Sequence, residues 1–192
     1  MEVVGEAADG HEAIEQTGTL SPDVVVMDIS MPGLNGIEAT RRIVEAHPGV
    51  KVIGLSIHAD RRYVHAIFEA GAAGYLLKNA ASDELIQALR VVVGHQHYVS
   101  PAIAGAVVEG FLRREPSEEP AGQPSPAELS GREREVLQLL AEGKTSKEVA
   151  ERLGVAVSTV ETHRRGITSK LGIHTVAELT KYAIRHGLTS VD

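Results

Sequence analysis

The sequence predicts an α/β domain with a doubly wound parallel sheet, followed by a smaller all-α domain. Three observations support this division. Short apolar runs alternate with helical patterns through the first half of the chain, which is typical of a parallel sheet with helices on both faces. Residues 115–127 contain four prolines and few apolar residues, as expected for an extended linker. Residues 129–187 then carry helical patterns with clear start and stop signals.

Composition excludes several classes of protein. The chain has 192 residues and no cysteine, so neither a disulfide framework nor a cysteine-ligated metal site can form. No apolar run approaches the ~20 residues that cross a bilayer, and no secretory signal is visible. We therefore expect a cytoplasmic protein with no membrane contact. The nine histidines are scattered and no nucleophile lies in a pattern with a base, so an enzyme is the least supported class.

The net charge of -7 is unevenly distributed. Residues 1–126 contain 9 Lys/Arg against 17 Asp/Glu, a balance of -8, whereas residues 127–192 contain 10 against 9, a balance of +1. This difference indicates two modules with different partners. A balance of +1 is too small to indicate nucleic acid by charge alone.

The elements of the first module follow from apolar runs, capping residues and glycine or proline breaks. Strands are predicted at residues 3–7, 23–28, 51–56 and 74–78, and helices at residues 11–17, 36–47, 60–70 and 82–93. The segment of residues 99–114 is predicted to form a connecting helix that begins at Pro101. We therefore assign residues 1–96 to the α/β domain, residues 97–127 to the connecting helix and linker, and residues 128–192 to the all-α domain.

Three polar side chains follow neighbouring strands of the predicted sheet. Asp28, Ser56 and Lys78 each lie at the carboxyl end of a predicted strand, and such ends meet at one edge of a parallel sheet, where ligands bind. A carboxylate there could accept a phosphoryl group, while the hydroxyl and the ammonium bind its oxygens and a divalent metal offsets the charge. Taken alone, each of the three residues is better explained as the structural end of a strand; the functional interpretation depends on their occurring together.

The residues around these strand ends resemble the receiver domain of two-component response regulators. The similarity lies in DISMPGLNG at residues 28–36, in Ser56, and in GAAGYLLK at residues 71–78. It implies that Asp28 accepts a phosphoryl group from a sensor histidine kinase, that Ser56 turns towards this group, and that Lys78 pairs with it. Tyr75 lies where these receivers carry an aromatic switch, although an aromatic that only fills a gap beside the last strand would look the same.

One departure from the receiver pattern concerns Mg²⁺. Receivers open with a strand that ends in an acidic pair, followed by a helix, whereas this chain starts at what resembles the second strand. Of the metal ligands only Asp28 and the backbone carbonyl near Ser30 remain, so we expect Mg²⁺ to bind weakly. We interpret the sequence as an N-terminal truncation or a misplaced start of a complete receiver. The alternative is a natural, degenerate receiver that does not need phosphorylation.

The missing strand would be central in the receiver order 2-1-3-4-5. The strand predicted at residues 3–7 must then slide beside residues 23–28, borrow a partner from another chain, or stay unpaired. One face of the sheet also loses the helix that would cover it.

The second module contains four predicted helices with legible boundaries. Capping boxes begin at Ser130, Thr145 and Thr175, where the side chains at both ends of each box satisfy free backbone amides. Two of the helices, joined by residues 154–156, have helix-turn-helix spacing, which by itself is a modest signal.

The amino-acid sequence of this module resembles a LuxR-type helix-turn-helix, and the whole chain is similar to a response regulator of the NarL/FixJ type. The similar segments are LSGREREVL at residues 129–137, KEVA at 147–150, TVETH at 159–163 and KLG at 170–172. The resemblance implies that the third helix enters the major groove of double-stranded DNA. Base edges would then face Glu161, Thr162 and Arg165, and phosphates would be contacted by Thr145, Lys147, Arg164 and Lys170.

Several positions limit this match. If the third helix begins at Ser158, Glu161 completes a fourth capping box and does not reach a base. Ala156 lies where many relatives carry a capping residue, Gly166 interrupts the helix at a cost of roughly 1 kcal/mol relative to alanine, and Ser169 replaces a frequent basic residue. These positions reduce the expected affinity for DNA more than they affect the fold.

Relatives of this type dimerise through the fourth helix, so the apolar face with Leu179 and Tyr182 is a candidate dimer surface. The same two side chains would equally serve packing within the domain. A homodimer that reads two half-sites gains affinity through effective concentration.

The favoured interpretation is a DNA-binding transcriptional regulator of a two-component phosphorelay, in which phosphorylation of Asp28 controls DNA binding or dimerisation. The alternative is a degenerate receiver that acts without phosphorylation, as an interaction module that sequesters partners in mixed dimers.

Overall fold

The computed structural model describes residues 1–80, 82–112 and 128–189. The predicted proline-rich linker at residues 115–127 and the last three residues of the chain lie outside these ranges. The chain divides into two compact units between residues 115 and 116.

The first unit is an α/β domain whose parallel four-stranded sheet has the order β1-β2-β3-β4. This architecture confirms the predicted fold class and three of the predicted strands. The elements are α1 Gly10–Leu20, β1 Val24–Asp28, α2 Gly36–Ala46, β2 Lys51–Ser56, α3 Arg61–Glu69, β3 Gly74–Leu77, α4 Ser82–Val93, β4 Tyr98–Val99 and α5 Pro101–Leu112.

Helices cover both faces of this sheet. Val52 packs in a cluster with Ile43 of α2, whereas the next residue, Ile53, packs with Val92 of α4. Successive residues of a strand point to opposite faces, so α2 and α4 lie on opposite sides of the sheet. On the α4 side Val26 of β1 remains 42% exposed.

Residues 3–7, predicted as a strand, do not form one. Val3 and Val4 are exposed, and the side-chain amide of Gln16 in α1 donates to the carbonyl oxygen of Glu6 at 2.6 Å. Valines form a stable strand only where a neighbouring strand pairs with their backbone and buries their side chains. Within the single chain, residues 3–7 are unpaired and do not slide beside β1.

Residues 97–112 are more closely tied to the first unit than the sequence indicates. Tyr98–Val99 forms a fourth strand, in register with Gly74 and Tyr75. The predicted connecting helix, α5, buries Ile103 in the same cluster as Ile67 of α3. The proposed boundary after residue 96 therefore separates residues 97–112 from the sheet and from α3, on which they pack.

The second unit is an all-α domain, as predicted. Its helices are α6 Gly131–Ala141, α7 Ser146–Arg152, α8 Val157–Leu171 and α9 Val176–Arg185. The capping boxes predicted at Ser130, Thr145 and Thr175 are all present. One core is shared by all four helices and includes Val136, Leu137, Leu140, Val149, Val160, Ile167, Leu171, Leu179, Tyr182 and Ala183.

Within the parts of the chain that the structure describes, every helix is too short or too polar to span a bilayer.

Candidate functional sites

Asp28, Ser56 and Lys78 end three adjacent strands at one edge of the sheet, or directly follow them, as predicted. The register pairs Asp28 with Leu55, and the amide of Lys78 donates to the carbonyl oxygen of Ser56 at 2.7 Å. Nζ of Lys78 lies 2.6 Å from Oδ2 of Asp28. Both side chains remain about one-third exposed, at 37% for Lys78 and 33% for Asp28, so a reagent in solution can reach the carboxylate.

The loop after β1 fixes the position of the Asp28 carboxylate. The amide of Ser30 donates to Oδ1 of Asp28 at 3.0 Å, and the amide of Gly36 donates to the carbonyl oxygen of Ile29 at 3.0 Å. A Cβ added at Gly36 would stand 2.0 Å from the carbonyl oxygen of Asp28. Only glycine therefore fits where the first turn of α2 packs against the end of β1.

Ser56 and Tyr75 are both fully buried and bond to the same loop. Oγ of Ser56 accepts a hydrogen bond from the amide of His58 at 3.0 Å, and the hydroxyl of Tyr75 donates to the carbonyl oxygen of His58. Burial raises the pKa of Tyr75 and outweighs the hydrogen bond with Ser56, which acts in the opposite direction. Because His58 joins the two side chains, a movement of Ser56 would disturb the hydrogen bond of Tyr75.

The donor set for a divalent cation at this edge is small. It consists of the Asp28 carboxylate, already paired with Lys78, and backbone carbonyls such as that of Ser30. No group of three or more His, Asp or Glu residues that could hold a metal lies together in the described ranges. Mg²⁺ requires octahedral oxygen coordination and usually takes one or two carboxylates with phosphate oxygens and water. The residues present therefore fit Mg²⁺ poorly.

A polar stripe on α8 faces solvent. Ser158, Thr162, Arg165 and Ser169 are exposed and recur at helical spacing, while Val160 and Ile167 are buried on the opposite side. The Thr162 hydroxyl donates to the carbonyl oxygen of Ser158 at 2.9 Å. Thr162 and Arg165, two of the predicted base contacts, thus lie on the accessible side of the helix.

Glu161 does not form a fourth capping box. The helix begins at Val157 after Ala156, and no side chain caps its first turn. The Glu161 carboxylate instead pairs with Arg164 at 3.2 Å, and Arg164 donates to Oγ of Ser146 at 3.1 Å. The hydrogen bond with Ser146 and the charge of Arg164 hold the pKa of Glu161 below its ordinary value. Glu161 and Arg164 therefore connect α8 to the start of α7.

The predicted phosphate contacts fall into two groups. Lys147 is exposed in the first turn of α7. The other three already bond to groups of the domain: Thr145 caps α7 and bonds to Glu148, Arg164 bonds to Ser146, and Lys170 lies 2.6 Å from Oε2 of Glu133.

The prediction of a dimer surface at Leu179 and Tyr182 requires a correction. The two side chains are only 5% and 3% exposed and belong to the core of the second unit. Their spacing on α9 reports burial within the domain, which was the alternative considered for them. The exposed residues of α9 are Val176, Ala177, Glu178, Lys181 and Arg185.

Glu133 takes part in a contact that the sequence did not indicate. Its spacing from Ser130 predicts the capping box, but its carboxylate also reaches Lys170, 37 residues further along the chain. Capping is a local pattern, whereas a contact between two helices depends on how they pack. The sequence offered one sign of this contact, which is a glycine inside the third helix. The Glu133 carboxylate lies against that glycine, Gly166.

Two family models match the chain. Residues 1–90 match the response regulator receiver domain, and residues 127–183 match the bacterial regulatory proteins of the luxR family.

Individual proteins are similar over nearly the whole chain. Response regulator UvrY of Escherichia coli is 39% identical over 192 residues, which is 100% of this chain and 86% of that protein. Oxygen regulatory protein NreC of Staphylococcus carnosus is 40% identical over 98% of this chain and 87% of its own length. A structure of RcsB from Salmonella enterica serovar Typhimurium, bound to promoter rprA in the presence of phosphomimetic BeF3-, has a TM-score of 0.51 and 26% identity, and the match covers 100% of this chain and 87% of that chain.

Proposed function

Since the chain belongs to the two-component response regulators that combine a receiver domain with a LuxR-family DNA-binding domain, we propose that it binds double-stranded DNA through α8 and that phosphorylation of Asp28 controls this binding. Proteins of this family regulate transcription by binding DNA and are not enzymes. The exposed stripe of α8 carries the proposal, because it presents Thr162 and Arg165 on one accessible side. With no spanning helix in the described ranges, a cytoplasmic location is consistent with this role.

Base contacts are assigned to Thr162 and Arg165. Glu161 is a conditional third contact. A guanidinium can pair with the major-groove edge of guanine, and Arg165 is exposed with its Nε bonded only loosely, at 3.3 Å, to the carbonyl oxygen of Glu161. Lys147 supplies a phosphate contact at the start of α7. Glu161 can accept from cytosine only after it leaves Arg164. Phosphate contacts orient the protein and base contacts select the sequence.

Selection of duplexes from a randomised library by the full chain tests DNA binding. We expect one sequence family to be enriched, and its affinity to fall with salt as phosphate contacts release counterions. A chain that enriches no sequence, but forms mixed dimers with another receiver protein, would instead support the alternative function as a sequestering module.

Phosphorylation is assigned to Asp28 because its carboxylate is accessible and lies beside Lys78. A phosphoryl group adds about -1.5 to -2 charges, which the Lys78 ammonium would offset. Ser56 would bind a phosphoryl oxygen after leaving the amide of His58. Tyr75, which bonds to the same residue, would then shift and alter the surface before α3. The phosphoryl donor is a sensor histidine kinase, and Mg²⁺ binds weakly because a single carboxylate is available.

Incubation of the full chain with acetyl phosphate, followed by mass spectrometry of the intact protein, tests this assignment. We expect one phosphoryl adduct in the wild type and none in Asp28→Asn. Asp23→Asn is the matched control, because Asp23 precedes the same strand and is exposed; it should retain the adduct. An unmodified wild type at millimolar Mg²⁺ would favour the phosphorylation-independent alternative.

A further inference from the structure

The first turn of α6 contacts both helices of the helix-turn-helix. Nη2 of Arg132 donates to the carbonyl oxygen of Leu153, where α7 ends, at 2.9 Å. The neighbouring residue, Glu133, places Oε2 at 2.6 Å from Nζ of Lys170 near the end of α8. Two adjacent residues of α6 therefore hold α7 and α8 separately.

Glu133 is almost entirely enclosed by these contacts. Its side chain is 9% exposed, and the same carboxylate accepts a hydrogen bond from the amide of Ser130 at 2.7 Å. Burial alone would raise the pKa of Glu133, but the hydrogen bonds with Lys170 and Ser130 more than offset this effect, so its pKa lies below the ordinary value. Glu133 is consequently charged at neutral pH and pairs with the Lys170 ammonium.

Gly166 provides the space for this carboxylate on the surface of α8. A Cβ added at Gly166 would stand 2.8 Å from Oε1 of Glu133. Because Glu133 is held by Ser130 and Lys170, it has little freedom to move away from such a Cβ. Glycine weakens a helix relative to alanine, and the contact with Glu133 gives this glycine a packing role in the middle of α8.

We propose that Glu133 is a positioning residue for DNA binding. It fixes α8 by pairing with Lys170 while its carboxylate occupies the space left by Gly166. Lys170, whose side chain is 42% exposed, then serves as an anchor between α8 and α6 instead of a phosphate contact. The proposal rests on the proposed function, in which α8 enters the major groove. Gly166 is next to Arg165 in the sequence, and Lys170 is next to Ser169. The contacts of Glu133 with Gly166 and Lys170 therefore hold the backbone that carries the exposed stripe. Small displacements of such a supporting group are enough to weaken a binding site.

The two roles of Lys170 predict opposite effects of Glu133→Gln. Glutamine keeps a side-chain oxygen for the amide of Ser130 but removes the charge that holds Lys170. If Lys170 contacts a phosphate, this variant frees it and raises affinity for DNA. If Glu133 positions α8, affinity of the full chain for a duplex selected from a random library falls about 3- to 10-fold, an order-of-magnitude expectation for the loss of one partly buried charge pair. Affinity for an unrelated duplex of equal length does not fall.

Lys170→Met gives a second readout. If Lys170 anchors α8 to α6, its replacement should lower specific affinity as much as Glu133→Gln does, and the double variant should show no further loss. The slope of log affinity against log salt should stay unchanged. Lys147→Ala is the comparison for a phosphate contact and should reduce that slope by about 1. A reduced slope in Lys170→Met, with equal losses on selected and unrelated duplexes, would overturn the anchor role.

Thermal unfolding separates positioning from general stability. Gly166→Ala should lower the unfolding temperature of the full chain in the wild-type background, yet raise it in a Glu133→Ala background, where the carboxylate is gone. Thr175→Ala, which removes a capping-box hydroxyl from α9, should lower the unfolding temperature without changing the ratio of specific to unrelated affinity. A wild type that enriches no duplex overturns the proposed function. An affinity of Glu133→Gln for the selected duplex that equals or exceeds that of the wild type overturns only the positioning role.

Discussion

Asp28, the proposed phosphorylation site, shows how the position of a side chain depends on the backbone around it. Its carboxylate is oriented by the amide of Ser30 and paired with Lys78, and its own carbonyl oxygen lies against Gly36. The sequence brings Asp28, Ser56 and Lys78 together because parallel strands end at one edge. The bond between Glu133 and Lys170 was not predictable in this way, since it depends on the packing of α6 against α8.

We expect Gly36→Ala to destabilise the first unit. The new Cβ would lie 2.0 Å from the carbonyl oxygen of Asp28, so the start of α2 must move away from β1, and overpacking of this kind costs about 1–3 kcal/mol. Urea unfolding of the full chain measures the loss. Gly49→Ala is the control, because a Cβ there meets no atom within 4 Å; equal stability of the two variants would contradict the packing argument.

At the scale of helices and strands, agreement with the sequence depends on how local each signal is. The three capping boxes of the second unit were predictable because each involves residues three positions apart. The strand Tyr98–Val99 was missed because two residues carry no periodic pattern. Residues 3–7 have the composition of a strand but lack a paired neighbour in this chain. Pairing is a tertiary property, so composition alone could not predict it.

Ala156→Ser should stabilise the second unit. Ala156 is the N-cap of α8 and makes no side-chain cap, and a serine there can accept from the free amides of the first turn, worth about 0.5–2 kcal/mol. The unfolding temperature of the full chain should rise. Ala156→Val changes the same position without adding an acceptor and should give no gain; a rise in both variants would show that capping is not the cause.

The capping boxes also predict a dependence of stability on pH. Hydrogen bonds with Thr145 lower the pKa of Glu148, and hydrogen bonds with Thr175 lower the pKa of Glu178, both from an ordinary value of 4.5. A carboxyl whose pKa is lower in the folded state stabilises it fully above the unfolded pKa and loses this effect as pH falls through the folded pKa. The unfolding temperature of the second unit should therefore decline below about pH 4.5.

Glu148→Gln and Glu178→Gln together should flatten this decline, because glutamine does not titrate. Unfolding temperatures measured from neutral pH into the acid range for the wild type and the double variant provide the comparison. Identical profiles would mean that these two carboxylates do not contribute to the acid sensitivity of the domain.

At the scale of the whole molecule, the family assigns the two units to separate tasks: residues 1–90 match a receiver and residues 127–183 match a DNA-binding domain. Both tasks were predictable from motifs, since each is carried by short stretches of sequence. The burial of Leu179 and Tyr182 in the core was not predictable, because spacing alone does not distinguish a buried apolar face from an apolar outer face.

We propose that the homodimer on DNA forms through the exposed residues of α9, which include Val176 at the start of the helix, 53% exposed. Val176→Glu would place a charge in that contact. Affinity for a duplex with two half-sites should fall by about tenfold or more, because linked binding raises effective concentration, while affinity for a single half-site stays the same. Equal affinities of the variant and the wild type for both duplexes would exclude this face.

Duplex selection with Arg165→Ala tests most directly whether α8 reads bases. Arg165 is exposed on the stripe of α8, and the loss of an arginine that pairs with guanine costs about 1–3 kcal/mol and relaxes specificity at that base. We expect the wild type to enrich a sequence with a fixed guanine, and Arg165→Ala to enrich the same sequence with this one position unspecified. Enrichment of the same sequence by both proteins, with the guanine retained and equal affinity, would contradict it.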